Sequence, residues 1–446
     1  MEAVRATPDA ADVRLKPDTP SRRLGAWSAT AMVVSQVVGV GIFLTPATMM
    51  RTVGSVGTAI IIWVVMGLLS AAGALCYAEL TTRFPRAGGG YVFLREAFGA
   101  RSAFVYGWMA LLVMDPGITA ALGIGFAEYL LAAIGGPASL VRPVAIAAIT
   151  LFGMLAIVGI NANARVMAWT AVAKLAIVGI LVAAAIVRAG DTGVHIPAAM
   201  MPPAPALAAS FIAAFFAFGG WWEFGRMAEE VASPRRTMPR ALVGGIALVT
   251  TIYTLASVAY MLGASGPMPS DDQAFVSMIG ANLFGETGGR LLAIMVVVAV
   301  TGSLAATLVG APRLYVAMAR DGLFPPQLAR MNAVRGSVPA STLVQVVLAS
   351  LLVVLGTFND ILGYFVPCAV LFLGLSATAI LVLPRPRDDG EVFAAPLHPV
   401  PIVLFLGLII CLLALFVLGQ PRQTLLGALV VALGVPASWF IVPRTR

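Results

Sequence analysis

Val37-Val38-Gly39-Val40-Gly41-Ile42-Phe43 lies at the centre of the first long apolar segment, residues 26–50, which is long enough to cross a bilayer as a helix. Each glycine inside a helix costs about 1 kcal/mol relative to alanine, so the pair weakens the helix at this point. A break there would free backbone N–H and C=O groups in the middle of the membrane. Such groups are tolerated only where they face protein, a water-filled cavity or a ligand.

A second pair of glycines interrupts a later apolar segment, within Phe216-Ala217-Phe218-Gly219-Gly220-Trp221. Two broken helices in separate parts of a chain indicate the substrate site of a transporter. The alternative is that these glycines only let neighbouring helices approach closely, as glycines often do in membranes. The occurrence of two pairs, in the first and the sixth apolar segment, favours broken helices.

The composition predicts an all-α polytopic membrane protein. Of the 446 residues, 60% are hydrophobic and 11% are charged, whereas a soluble protein carries about 25% charged residues. Apolar runs of spanning length predict about twelve transmembrane helices, at residues 26–50, 56–81, 102–133, 142–160, 166–188, 207–231, 240–263, 288–318, 339–358, 361–383, 396–418 and 423–443.

The positions of Lys and Arg predict that both termini are cytoplasmic, since cytoplasmic loops carry an excess of basic residues. Most basic residues outside the apolar segments fall on the side of the N-terminal tail. Those that fall on the other side are Arg51, Arg142, Arg188, Arg290 and Arg422. The net charge of +8 therefore reflects membrane topology and does not indicate a nucleic-acid partner. We expect a multi-pass protein of the cell (inner) membrane, surrounded by the lipid bilayer.

The place of the two breaks predicts the organisation of the chain. Because they fall in the first and the sixth segment, we expect two five-helix repeats of inverted topology. The limits are placed at 1–23 for a cytoplasmic N-terminal tail, 24–188 for the first repeat, 207–383 for the second, inverted repeat and 396–443 for two additional helices.

The two breaks also predict a site with an anion pole and a cation pole. Backbone N–H groups opened at Gly39 to Gly41 would lie at the N-terminus of a half-helix, where the helix dipole favours an anion. Carbonyl groups opened between Phe216 and Gly219 would end another half-helix, where a cation is favoured. A zwitterion such as an α-amino acid fits both poles.

Several motifs resemble the amino acid–polyamine–organocation superfamily, and most closely its L-type amino acid transporter branch with its bacterial relatives. They are Gly39-Val40-Gly41-Ile42-Phe43-Leu44-Thr45-Pro46, Tyr77-Ala78-Glu79-Leu80, Pro85-Arg86-Ala87-Gly88-Gly89-Gly90-Tyr91, and Phe216-Ala217-Phe218-Gly219-Gly220-Trp221 followed by Glu229-Glu230 and Pro234. The resemblance covers residues 24–441. It implies a LeuT-like fold with helices 1 and 6 unwound, and transport by alternating access.

The resemblance further implies which residues bind the substrate. Backbone around Val37 to Gly41 would hold the carboxylate, carbonyl groups of the sixth helix would hold the amino group, and Phe216 would form an aromatic lid. Val40 stands where the family usually has Ser, which removes a hydroxyl contact. Trp222-Glu223 stands where family members differ, so side-chain specificity would be set there. The residues expected at the site are Val37, Gly39, Val40, Gly41, Phe216, Ala217, Phe218, Gly219, Trp222 and Glu223.

Lys174 lies inside the fifth apolar segment, where an ammonium group is costly and by default functional. The alternative is that its side chain reaches the membrane surface near Arg165. In the superfamily that the chain resembles, such a lysine stands in for a sodium ion between the first, fifth and eighth helices. Gly310-Ala311-Pro312 supplies no hydroxyl where sodium-dependent relatives use Ser or Thr, so we predict sodium independence. Coupling to protons through Lys174 and obligate exchange both stay open.

Two acidic residues are expected near the site. Asp115 precedes Pro116 in the third apolar segment, and Glu223 follows the second break. They would favour a cationic substrate or a proton relay, and the alternative is that they pair with an internal basic residue such as Arg226.

An amino acid transporter is favoured over other classes of membrane protein. The apolar lining favours neutral amino acids, and a cationic amino acid or polyamine transporter of the same fold is the alternative. A membrane-embedded transferase would need clustered catalytic or metal-binding side chains. The two histidines, His195 and His398, are isolated, so no cofactor and no metal are expected. The loop 134–142 contains no Cys, so we expect no disulfide-linked heavy chain.

Overall fold

The computed structural model describes residues 25–39, 41–84, 88–159, 172, 174–184, 186–187, 202–263, 275–332, 337–384 and 392–442. This part of the chain is 87% helical and contains no strand. Its helices are α1 (Ala26–Val37), α2 (Gly41–Val53), α3 (Val56–Arg83), α4 (Gly90–Phe98), α5 (Ala100–Met109), α6 (Asp115–Ile134), α7 (Val141–Val158), α8 (Lys174–Ala184), α9 (Ala204–Phe218), α10 (Pro234–Gly263), α11 (Phe275–Gly310), α12 (Pro312–Arg320), α13 (Pro339–Leu355), α14 (Phe358–Val382), α15 (Val400–Gly419) and α16 (Pro421–Ile441).

The helices have the length and composition of membrane spans. Among the described residues, nine helical stretches are long and apolar enough to cross a membrane, and α1 with α2 forms a further, bent one. The helices α8 and α13 are apolar but shorter. The expectation of an all-α polytopic membrane protein is therefore confirmed, while the total number of spans stays a prediction. The predicted N-terminal tail, residues 1–23, lies outside the described residues.

The first predicted break separates α1 from α2, whose directions differ by 43°. Helix α1 ends at Val37 and α2 begins at Gly41, while Val40 lies outside the described residues. A Cβ atom on Gly41 would overlap the Ala217 Cα atom of α9. Glycine at this position therefore lets the two broken helices touch.

The second predicted break follows Phe218, the last residue of α9. Gly220 has a φ of +110°, which residues with a side chain rarely adopt. A 3₁₀-helix, Trp221–Glu230, continues the chain. A Cβ atom on Gly220 would lie 2.9 Å from the Gln36 carbonyl oxygen of α1. The second break therefore also needs glycine at the point where it meets the first.

Neighbouring helices hold the two breaks against each other. Helix α10 packs against α1 and α3, and α2 packs against α9. Helix α6 packs against α7, α11 and α13, while α14 contacts both α6 and α9. The breaks thus lie between the helices that pack around α10 (α1 and α3) and those that pack around α6 (α7, α11 and α13). The inverted repeat and its limits stay predictions.

Candidate functional site

A cavity of about 370 Å³ lies where the two breaks meet α6, α8, α11 and α14. Its volume is in the range of small-molecule sites. Most of the residues that the sequence assigns to substrate, coupling or specificity line it: Val37, Gly39, Gly41, Asp115, Lys174, Phe216, Ala217, Gly219, Trp222 and Glu223. Phe218 is not among the described residues that line the cavity.

The first break presents the N-terminus of α2 to this cavity. The N–H groups in the first turn of a helix have no acceptor within that helix, and Gly41, which begins α2, lines the cavity. The Gly39 N–H donates to the Val37 carbonyl oxygen over 2.5 Å. The N–H groups that this break offers to the cavity are therefore those of the first turn of α2, since the Gly39 N–H already has an acceptor.

The carbonyl groups at the second break already have partners inside the protein. The Gly219 N–H donates to the Phe216 carbonyl oxygen over 3.1 Å, and the Tyr253 hydroxyl lies 2.9 Å from the Ala217 carbonyl oxygen. A carbonyl oxygen has two lone pairs, so each of the two can accept one more donor. Both carbonyl oxygens thus keep a lone pair, although each already has a donor within the protein.

Tyr253 of α10 joins the two breaks, a role that the sequence reading missed. Its hydroxyl lies 2.8 Å from the Val37 carbonyl oxygen and 2.9 Å from that of Ala217. The side chain is fully buried. Because a hydroxyl has one hydrogen, it donates to one carbonyl at a time or shares the hydrogen between both. A tyrosine in an apolar helix looks like a core residue, so only the fold reveals this contact.

Lys174 points into the same cavity. Its side chain is 5% exposed, and its Nζ donates a hydrogen bond to Ser303 Oγ of α11 over 2.9 Å. The Lys174 side chain therefore does not extend to the membrane surface in this structure, as the alternative interpretation would require. Ser303 and Thr307 of α11 both line the cavity, whereas the prediction of sodium independence rests on Gly310-Ala311-Pro312, at the junction of α11 and α12. Hydroxyl groups are therefore present, and one of them binds the ammonium.

Asp115 of α6 and Glu223 of the 3₁₀-helix after the second break both line the cavity. Asp115 is buried, and its Oδ2 accepts a hydrogen bond from the Tyr315 hydroxyl of α12 over 2.6 Å. Arg226, which the sequence offers as a partner, has a side chain outside the described residues. The site thus holds two acidic groups and the ammonium of Lys174 among its described lining residues.

Aromatic rings cover one side of the cavity. The Phe216 ring lies 5.8 Å from that of Phe358 and 6.1 Å from that of Phe365, both on α14. Phe218 points elsewhere, with its ring 5.8 Å from Trp63 and 5.3 Å from Tyr253. Phe216 thus lines the cavity and packs against α14, while Phe218 packs against Tyr253; the role of Phe216 as a lid stays a prediction.

The described residues hold no group of three or more His, Cys, Asp or Glu side chains that could bind a metal ion. All three cysteines of the chain carry free thiols, with Cys76 and Cys368 buried and Cys411 exposed on α15. The described polar groups around the cavity include helix termini, single hydroxyls, the Gln36 amide, the Lys174 ammonium and the carboxylates of Asp115 and Glu223.

Comparisons with known proteins show the family of the chain. A family model described as amino acid permease matches residues 24–435. The b(0,+)-type amino acid transporter 1 of Mus musculus is 28% identical over 415 residues, which cover 91% of this chain and 84% of the relative. The large neutral amino acids transporter small subunit 2 of Oryctolagus cuniculus is 29% identical over 432 residues, or 93% and 79%. The cystine/glutamate transporter of Pongo abelii is 27% identical over 435 residues, or 94% and 85%.

Proposed function

The chain belongs to the amino acid permease family, and we propose that it is a secondary active transporter that moves L-amino acids across the cell membrane by alternating access. The resemblance found in the motifs is thereby confirmed. The protein is a multi-pass membrane transporter of amino acids and not an enzyme. The proposal concerns the mechanism, the coupling and the substrate class.

One observation carries the mechanism: both broken helices open into a single cavity. The first turn of α2 offers N–H groups, and the end of α9 offers carbonyl oxygens. The carboxylate of an amino acid would lie at Gly41, and its ammonium at Ala217 and Gly219. Since both poles sit at breaks between rigid half-helices, small movements of these halves would open the site to either side of the membrane in turn.

Lys174 supports transport without sodium. Its ammonium donates to Ser303 on α11, so a positive charge lies beside a hydroxyl group that a sodium ion would need as a ligand. The transporter would then work as an exchanger or as a proton symporter. The protein is proposed to have both termini in the cytoplasm and to work without a disulfide-linked heavy chain.

Neutral amino acids are the proposed substrates. Ile118, Leu122 and Phe365 give the cavity an apolar wall, and one relative is named for large neutral amino acids. The second candidate is a cationic amino acid or polyamine, which the position of Asp115 and Glu223 at the cavity favours. Asp115→Asn keeps the shape and removes one charge. Uptake of lysine relative to leucine should fall in this variant only if the second candidate is right.

Purified protein in sodium-free liposomes tests the proposal. Uptake of a panel of labelled amino acids is followed at two external pH values, with and without unlabelled amino acids inside. Uptake that requires internal amino acid and ignores pH identifies an exchanger, and uptake into empty vesicles driven by an inward proton gradient identifies a symporter. A correctly folded protein that takes up no amino acid, or only with sodium, would contradict the proposal.

A further inference from the structure

One turn of π-helix, Ala110–Met114, joins α5 to α6. It ends where the Asp115 N–H donates to the Ala110 carbonyl, five residues back rather than four. Pro116 comes next, and a proline has no N–H to offer to the carbonyl of Leu112, four residues before it. Single π-turns often occur at functional sites.

The hydroxyl of Tyr364 supplies a donor in place of the missing one. Tyr364 lies on α14, and its hydroxyl donates a hydrogen bond to the Leu112 carbonyl oxygen over 3.3 Å. Backbone carbonyls inside a membrane need such a partner. A neighbouring helix therefore completes the hydrogen bonding that Pro116 denies to α6.

The π-turn affects which residues of this segment line the two adjoining cavities. A smaller cavity adjoins the main one at Met114. Along one face of this segment, Tyr106, Met109 and Met114 line the smaller cavity, and Met114, Ile118 and Leu122 line the main one. These positions are three, five, four and four residues apart. At about 100° per residue, a step of five would turn a side chain about 140° away from the face of an ordinary α-helix. The extra residue of the π-turn absorbs this rotation and keeps Met114 and Asp115 at the cavity.

The residue after Tyr364 touches the same site. Phe365 lines the cavity, and its ring packs against the Phe216 lid. A Cβ atom on Gly117 would lie 2.6 Å from the Phe365 ring, so this glycine lets α14 approach α6 just beyond Pro116. The contact between α14 and the π-turn is thus continuous with the wall and the lid of the cavity.

We propose that Tyr364 is a positioning residue that holds the π-turn and thereby selects which amino acid side chains the cavity accepts. The proposal rests on the proposed function, because it concerns the same cavity. Tyr364 is not among the described residues that line the cavity, whereas Met114 and Asp115 are. The Tyr364 hydroxyl therefore affects the substrate indirectly, by fixing the positions of Met114 and Asp115 in the cavity wall.

Tyr364→Phe tests this proposal, since it removes the hydroxyl and keeps the ring. The measurement is the ratio of apparent KM values for two substrates with different side chains, such as leucine and alanine, in liposomes. We expect this ratio to change about three- to tenfold, the worth of one hydrogen bond. A ratio within twofold of the wild type would overturn the proposal.

Ser341→Ala is the matched control. The Ser341 hydroxyl is buried and donates to the Leu328 carbonyl oxygen over 3.0 Å, away from the cavity. This variant loses a bond of the same kind, so its melting temperature should fall while its KM ratio stays that of the wild type. If both variants lower the melting temperature and leave the ratio unchanged, Tyr364 is merely structural and the proposal is wrong.

Pro116→Ala tests whether Tyr364→Phe acts through the π-turn or through a general loss of stability in α14. Alanine returns an N–H donor to α6, so Tyr364→Phe should have little further effect on the KM ratio in the Pro116→Ala background. A three- to tenfold difference in the KM ratio between Pro116→Ala and the double variant would contradict the proposed link. This comparison needs no measurement on Tyr364→Phe alone, so it stands even if that variant folds poorly. Failure of the wild type to take up any amino acid is a different result, which would overturn the proposed function and this proposal with it.

Discussion

Tyr253→Phe is the most direct test of the contact between the two breaks. The substitution removes a hydroxyl that lies within hydrogen-bond distance of the Val37 and Ala217 carbonyl oxygens. The ring would remain in place, because it packs 5.2 Å from Trp63 and 5.3 Å from Phe218. The change therefore acts on one hydrogen bond and leaves the packing of α10 intact.

The expected cost is about 1–3 kcal/mol, because a buried carbonyl that loses its donor keeps its desolvation penalty. This cost falls only on conformations in which the two breaks touch. Conformations in which they separate would gain in population by about 5- to 150-fold relative to the wild type. The variant should therefore be less stable in the conformation seen here, and its apparent affinity for substrate should differ between the two sides of the membrane.

Two measurements check this expectation: the melting temperature of the purified protein, and the KM of uptake measured from each side of the liposome membrane. Thr251→Val is the control, since it removes an exposed hydroxyl of the same helix that donates to the Ala247 carbonyl oxygen of its own backbone. The control should keep the wild-type KM on both sides. If Tyr253→Phe has the melting temperature and both KM values of the wild type, the hydroxyl does not join the breaks.

Three further predictions concern the same site. Lys174→Ala removes the ammonium from Ser303 and should lower uptake about tenfold or more, the worth of a charged hydrogen bond; wild-type uptake with a wild-type pH response would remove Lys174 from the mechanism. Gly220→Ala places a side chain at a φ of +110° and 2.9 Å from the Gln36 carbonyl oxygen, so it should cost about 1–3 kcal/mol in a thermal melt, whereas Gly244→Ala, where a Cβ atom meets nothing, should cost little. Phe216→Ala loses ring contacts with two phenylalanines of α14 and should weaken substrate binding about tenfold, measured by competition; unchanged affinity would show that the ring is no lid.

The sequence predicts the breaks well because each depends on a local property. A glycine pair weakens a helix wherever it occurs, and the positions of the pairs in the first and sixth segments agree with the structure. Lys174 was also identifiable, since a charge inside an apolar segment is rare and costly. Its partner was not, because many hydroxyls in membrane helices bond to their own backbone, as Thr307 does to the Ser303 carbonyl.

The remaining parts of the site depend on contacts between distant segments. Tyr253 lies in the long helix α10 and Tyr315 in the short helix α12, and the sequence around them does not mark either as a polar partner. Phe218 lies in the same motif as Phe216, and only the end of α9 decides that it packs against Trp63 and Tyr253 rather than lining the cavity. Such assignments follow from helix packing, which a single sequence does not contain.

The two breaks differ in what they can offer to a ligand, and this difference supports one orientation of the amino acid. The Val37 carbonyl oxygen has both lone pairs occupied when the Gly39 N–H and the Tyr253 hydroxyl donate to it. An ammonium group would thus find no acceptor there. The Ala217 carbonyl oxygen has one protein donor at most among the contacts described, the same Tyr253 hydroxyl, and keeps a lone pair for a ligand. A zwitterion would therefore place its ammonium at the second break and its carboxylate at the N-terminus of α2, and Tyr253, by engaging Val37, would help to exclude the reverse orientation.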